Sequence, residues 1–166
     1  MNTYLSFAIL FSLALFQSTV TPNIKLMGVQ PDLMLMAVVS WSLLRGSEDG
    51  MLWALIGGIM MDMFSSAPFG ASALALLITG FLSGLGHRNI FRLALVVPAL
   101  VIPVATLLYQ LILFGLLYAF GWRTNLIPTL SRVIFPSMLV NTLGMPIVYL
   151  TTRLLHRRTK REEIVW

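Results

Sequence analysis

Between Arg92 and Arg123 the chain carries no charged side chain, and the stretch LALVVPALVIPVATLLYQLILFGLLYAF from Leu93 to Phe120 is apolar almost throughout. About 20 consecutive apolar residues are enough to cross the hydrocarbon core of a bilayer as an α-helix. Lipid offers no hydrogen bonds, so every backbone group must be bonded within the protein, and only helices or closed barrels can span. A barrel strand alternates apolar and polar residues over about ten positions. This run does not alternate, and it predicts a helical bundle. Composition agrees: 58% of residues are hydrophobic and 10% charged, whereas a soluble domain carries about 25% charged residues to wet its surface. A soluble enzyme, a coiled coil and a disordered tail are excluded.

The hydropathy pattern predicts an all-α, polytopic integral membrane bundle of six transmembrane helices, at about 4–21, 27–44, 50–64, 70–86, 93–120 and 126–155. They form one domain over residues 1–155, followed by a basic cytoplasmic tail at 156–166. The first segment lacks the basic flank and small-residue cleavage site of a signal peptide, so it reads as a retained helix. The second and third are short. Joining them as a re-entrant hairpin would bury Arg45, Glu48 and Asp49 at about 2.5–3.5 kcal/mol each; two full spans linked by the wet turn RGSEDG cost less. Pro98 and Pro103 in the fifth segment and Pro136 and Pro146 in the sixth are expected to kink their helices.

Six spans put the termini and the second and fourth loops on one side. That side holds Arg45, Arg88, Arg92, Arg153, Arg157, Arg158, Lys160 and Arg161, against Lys25, Arg123 and Arg132 on the other. Cytoplasmic loops carry the excess of Lys and Arg, so both termini are expected in the cytoplasm. The net charge of +5 therefore does not signal nucleic acid. The cluster Arg153, Arg157, Arg158, Lys160 and Arg161 reads as a topology signal facing anionic lipid, at about 1 kcal/mol per charge.

No cysteine is present, which removes disulfides and thiolate metal sites. His87 and His156 sit beside arginines at span ends and read as interfacial residues, not metal ligands. The sequence contains no P-loop, HExxH or GxSxG motif, and no catalytic residue, metal or cofactor is expected. The loops are too short for a water-exposed catalytic domain.

Polar groups inside lipid are the functional candidates, because lipid makes them expensive. Asp32 and Asp62 fall near the outer ends of the second and third spans, Arg132 at a similar depth, and Asn141 on a polar line of the sixth span with Ser137. Thr106 and Gln110 share a face of the fifth. These groups either satisfy one another and fix helix register or line a small pocket. Gly50, Ala54, Gly58 and Asp62 recur every four residues. Ala71, Ala75, Gly80 and Gly84 offer a facing surface on the fourth span, so these two helices should pack closely across the turn containing Pro68 and Gly70.

In order and spacing, these features resemble the rod shape-determining protein MreD family of bacteria. The carriers lie between Pro31 and Leu85: Pro31-Asp32-Leu33, the charged turn from Arg45 to Gly50, Asp62, Pro68-Phe69-Gly70, and the small-residue run from Gly80 to Gly86. The resemblance implies a non-enzymatic scaffold of the cell-elongation (rod) complex in the bacterial inner membrane, helping to direct peptidoglycan synthesis and rod shape. It implies MreC as direct partner, with MreB, RodA and penicillin-binding protein 2 reached indirectly. The family's fold is also similar to the substrate-binding subunits of energy-coupling-factor transporters, which keeps a rival reading as a small-solute or vitamin-binding transport subunit. A third reading, an intramembrane enzyme on a lipid-linked substrate, would need more converging ionisable groups than two acids and one arginine.

Overall fold

The computed structural model of the chain describes residues 3–86, 96–122 and 125–160, and within them it is all-helical, without a β-strand. His87, Arg88, Arg92, Arg123 and Arg161 lie outside the described residues, as do the side chains of Arg158 and Lys160. The helices are α1 (Thr3–Thr19), α2 (Leu33–Arg45), α3 (Ser47–Phe64), α4 (Ala71–Leu85), α5 (Val96–Ala119), α6 (Leu126–Thr129) and α7 (Phe135–Lys160). A 3-10 turn at Thr21–Asn23 follows α1, and a π-helical turn at Leu130–Ile134 joins α6 to α7.

The second helix starts later than its apolar run. Leu26 and Val29 exchange backbone hydrogen bonds of 2.9 and 3.1 Å, closing a turn in which Met27 and Gly28 have φ of 56° and 82°. Pro31 then disfavours helical geometry in the residue before it. Residues 27–32, expected to be helical, are therefore turn and cap, and α2 is left with 13 residues. At 1.5 Å per residue that is about 20 Å, short of the roughly 30 Å hydrocarbon core. It can be short because it is the middle of the molecule: every residue from Met34 to Leu43 is buried, under α1, α3, α4, α5 and α7. A helix apolar on all sides belongs inside a bundle.

Gly46 (φ 98°) turns the chain from α2 into α3, and Gly70 (φ 95°) starts α4, both in the left-handed region that favours glycine. Glu48 and Asp49 lie in the first turn of α3, where the helix dipole favours acids. Among the described helices, α3 and α4 share the most extensive contact. Gly58 meets the backbone of Ala73, Gly84 that of Ser47, and Gly80 sits between Ala54 and Val38. Gly50 differs from the expected stripe: it faces Ser42 of α2, so the small-residue surface wedges α3 against two helices rather than one.

α5 and α7 form the outer wall and continue through Pro103 and Pro146. The π turn ends just before Pro136, which has no N–H to give to the preceding turn; a wider turn there is one of the usual accommodations. Val96–Ala119 and Ile127–Arg157 are long and apolar enough to cross a membrane. Their outer faces are apolar as well, with Leu143 77% and Ile147 71% exposed. A water-soluble monomer rarely shows such contiguous patches.

Candidate functional site

A helix that begins inside a bundle leaves its first N–H groups without partners, and α2 does so. Its cap is Asp32, whose Oδ1 accepts from the Leu35 N–H at 2.9 Å. Gln17 of α1 completes the start from the side: its Oε1 accepts from the Met34 N–H at 2.7 Å, and its Nε2 donates to Asp32 Oδ1 at 3.0 Å. From α7, Asn141 Oδ1 accepts from the Asp32 N–H at 2.9 Å, while Asn141 Nδ2 donates to Thr106 Oγ1 of α5 at 3.2 Å. Gln17, Thr106 and Asn141 are all buried. One helix terminus thus ties four helices together.

Asp62 solves the same problem for α4. The residue at the capping position, Gly70, has no side chain to offer. Asp62, on the last turn of α3, supplies the oxygens instead: Oδ1 accepts from Ser72 N–H at 3.0 Å, and Oδ2 from Gly70 and Ala73 N–H at 2.9 and 3.1 Å. The carboxylate is buried at the positive end of the helix dipole. Tyr109 of α5, also buried, reaches Ser72 with its hydroxyl.

Of the polar residues singled out in the sequence, Asp32 and Asn141 are therefore in direct contact, and Asp62 lies at the same end of the α2–α3 hairpin in a separate cap. Arg132 is exposed on the π turn and forms no ion pair with either acid among the described residues. Gln17 was not anticipated. Its signal was available: it is an amide inside the otherwise apolar run of α1.

A second cluster at the opposite end also escaped the sequence. Arg45 bonds Asp49 Oδ2 through Nη1 at 3.3 Å and donates from Nε to His156 Nδ1 at 3.2 Å. Its guanidinium lies 5.1 Å from the centre of the Trp41 ring, which stacks on Trp53 at 4.1 Å and meets His156 edge-on at 5.9 Å. The turn expected to be merely wet therefore fastens α2 and α3 to α7. Trp41 and Arg45, one helical turn apart on α2, with Asp49 just beyond the Gly46 turn, were the clue. Arg153 is half-buried and Arg157 exposed further along α7. Among the described residues no group of three or more His, Asp or Glu is placed to hold a metal ion.

Replacing Asn141 with leucine should remove two bonds, leave the Asp32 N–H unpaired inside the bundle, and cost about 2 kcal/mol of stability. Reversible unfolding in mixed micelles reads this directly. An Asn141→Leu protein as stable as the parent would mean that this contact does not hold α7 in place.

The fold and these caps define an all-helical membrane protein whose buried polar groups join helix to helix. The chain belongs to the MreD family, since the family model described as rod shape-determining protein MreD matches residues 1–159. The family is one of membrane proteins with a role in determining rod shape. No curated protein and no solved structure matches the chain.

Proposed function

We propose that the protein is a non-enzymatic scaffold of the cell-elongation complex, crossing the bacterial inner membrane six times with both termini in the cytoplasm. It binds the single span of MreC and through it gathers MreB, RodA and penicillin-binding protein 2, so that peptidoglycan synthesis follows the rod axis. The observation that carries this reading is the family match over residues 1–159. The caps support it: the oxygens of Asp32, Asp62 and Asn141 accept backbone N–H groups, which suits a rigid platform. The sequence adds a basic run, Arg153, Arg157, Arg158, Lys160 and Arg161, which in this reading meets anionic lipid at the cytoplasmic face. Helix docking in lipid depends on close packing and a few hydrogen bonds of about 0.6 kcal/mol each, so affinity comes from a long apolar contact.

The test is purification of the tagged protein from its native membranes in mild detergent, with mass spectrometry of what accompanies it. A single-span protein with a large outer domain, together with peptidoglycan synthases, is expected. Recovery of ATPase subunits, or of a bound small molecule without those proteins, would replace the scaffold by the transport subunit.

A further inference from the structure

The contacts between helices fix how far each one reaches along the bundle. At one end Arg45 of α2 is bonded to His156 of α7, and at the other the Asp32 N–H is bonded to Asn141. The whole of α2 therefore lies beside about 20 Å of α7. α7 does not stop there: it continues past Asn141 to Phe135, and the π turn carries Arg132 about 13 Å beyond the start of α2. α4 is as short as α2. Gly84 lies on the backbone of Ser47 at the inner end, and Ala71, the first residue of α4, is about 20 Å away from that contact.

The surfaces that these helices turn outward differ in the same way. On α7 the exposed apolar residues run from Phe135 to Leu154, about 29 Å, between the exposed Arg132 and Arg157; on α5 they run from Val96 to Tyr118, about 33 Å. Both match the roughly 30 Å hydrocarbon core. On α3 they run only from Leu52 to Phe64 and on α4 from Leu74 to Leu85, about 18 and 17 Å. Exposed Glu48 closes the α3 belt on the inside, and exposed Ser65 and Ser66 close it on the outside. Tilting does not remove the difference, because helices bonded at both ends tilt together. Sinking the hairpin under a full leaflet would put the irregular backbone from Ser65 to Gly70 into hydrocarbon, where lipid-exposed loops do not occur. Lifting the end of α7 into water would strip lipid from the apolar face at Phe135. A bilayer meets a short apolar belt by thinning beside it.

We propose that the protein thins the leaflet that meets the capped ends of α2 and α4, so that the membrane surface steps down by about 10 Å from the α5–α7 wall to the α3–α4 hairpin, an inference that rests on the six-span reading above. The outer face of α3 and α4 is then a lipid-binding surface that takes a thin patch of bilayer. Asp32 and Asp62 allow the helices to end that early: each carboxylate accepts the first N–H groups of a helix, so no further turn is needed to reach water.

The chain has no cysteine, so single introduced thiols report depth; a thiol reacts as thiolate, which needs water. Counted from the inner contacts, Phe135 is about 31 Å out and Ala71 about 20 Å, with Phe69 two residues before Ala71. In native membranes kept right side out, a membrane-impermeant maleimide should label Phe69→Cys and Ser66→Cys roughly tenfold faster than Phe135→Cys, although Phe135 lies further out than Phe69. The same order is expected for the purified protein in vesicles of dioleoylphosphatidylcholine, where no partner is present. Equal labelling of all three means a flat surface with α7 standing above it, and overturns the step. Turn thiols that stay unlabelled in the vesicles lie under a full leaflet, which overturns it as well. Turn thiols labelled in the vesicles but not in native membranes carry a partner protein instead of lipid, and the lipid-binding face falls. Leu55→Cys, midway along α3, should not react; if it does, α3 is outside the membrane and the six-span reading falls together with the step. The expected order seen only with the reagent on the cytoplasmic side overturns the placement of the termini and leaves the step standing.

Discussion

Asp62→Ala should destabilise the protein by about 4 kcal/mol, the largest effect expected of any single polar substitution. The alanine leaves three backbone N–H groups, those of Gly70, Ser72 and Ala73, without an acceptor. A buried donor left unpaired costs about 1–3 kcal/mol, and losses that share one side chain do not add fully. Asp62→Asn keeps one oxygen and no charge, so about half the loss is expected. Unfolding followed by fluorescence of the buried, stacked pair Trp41 and Trp53 measures both. If both variants unfold like the parent, Asp62 is not the cap that holds α4. A separate outcome bears on the proposed function: an Asp62→Asn protein of parental stability that fails to purify with the proposed partner MreC, where the parent does, would place the carboxylate in the docking surface.

The class of fold was legible because lipid leaves a chain few choices: continuous apolar runs without alternation give helices and not strands. The approach of α3 to α4 was legible for a similar reason, since Gly58, Gly80 and Gly84 are small, although the residue that meets Gly58 is Ala73 and not Ala71 or Ala75. What could not be read was the partner of each polar group. Asp32 and Asp62 look alike in sequence, each an acid near the end of an apolar segment. One caps its own helix and the other caps the next one, because Asp32 precedes a helix whose start is buried, whereas Gly70 leaves α4 without a side-chain cap. The link between Asp32 and Asn141 spans 109 positions, and no local pattern encodes it. Arg45 and His156 are 111 apart, and for the same reason one was read as part of a wet turn and the other as an interfacial residue. The start of α2 was misplaced because hydropathy registers Leu26 and Met27 as apolar, while Gly28 and Pro31 fix the backbone.

Adding one methyl group at a single glycine of α3, α4 or α5 should separate glycines that bear load from those that do not. A Cβ on Gly58 would press into the backbone of Ala73, and one on Gly84 into the backbone of Ser47. Backbone cannot step aside as a side chain can, so the α3–α4 pair would have to open; overpacking of this kind typically costs 1–3 kcal/mol, and about 3 is expected for Gly58→Ala and Gly84→Ala. Gly57 provides a graded comparison. Its added Cβ would lie 2.7 Å from the Met34 sulfur, the end of a flexible side chain that can move, so about 1 kcal/mol is expected. Gly115 on α5 has nothing within 4 Å and is exposed. Gly115→Ala should be neutral or stabilising by up to about 1 kcal/mol, because alanine is the better helix former. Unfolding of the four variants under one set of conditions gives the order. If Gly58→Ala behaves like Gly115→Ala, the two helices are not in backbone contact, and the small-residue surface must serve something other than the hairpin. If the order holds, close packing of α3 on α4 fixes where Asp62 stands relative to the start of α4, so the steric and polar parts of the hairpin act as one unit. In that case Gly58→Ala combined with Asp62→Ala should cost less than the sum of the two, since opening the pair already withdraws the amides from the carboxylate.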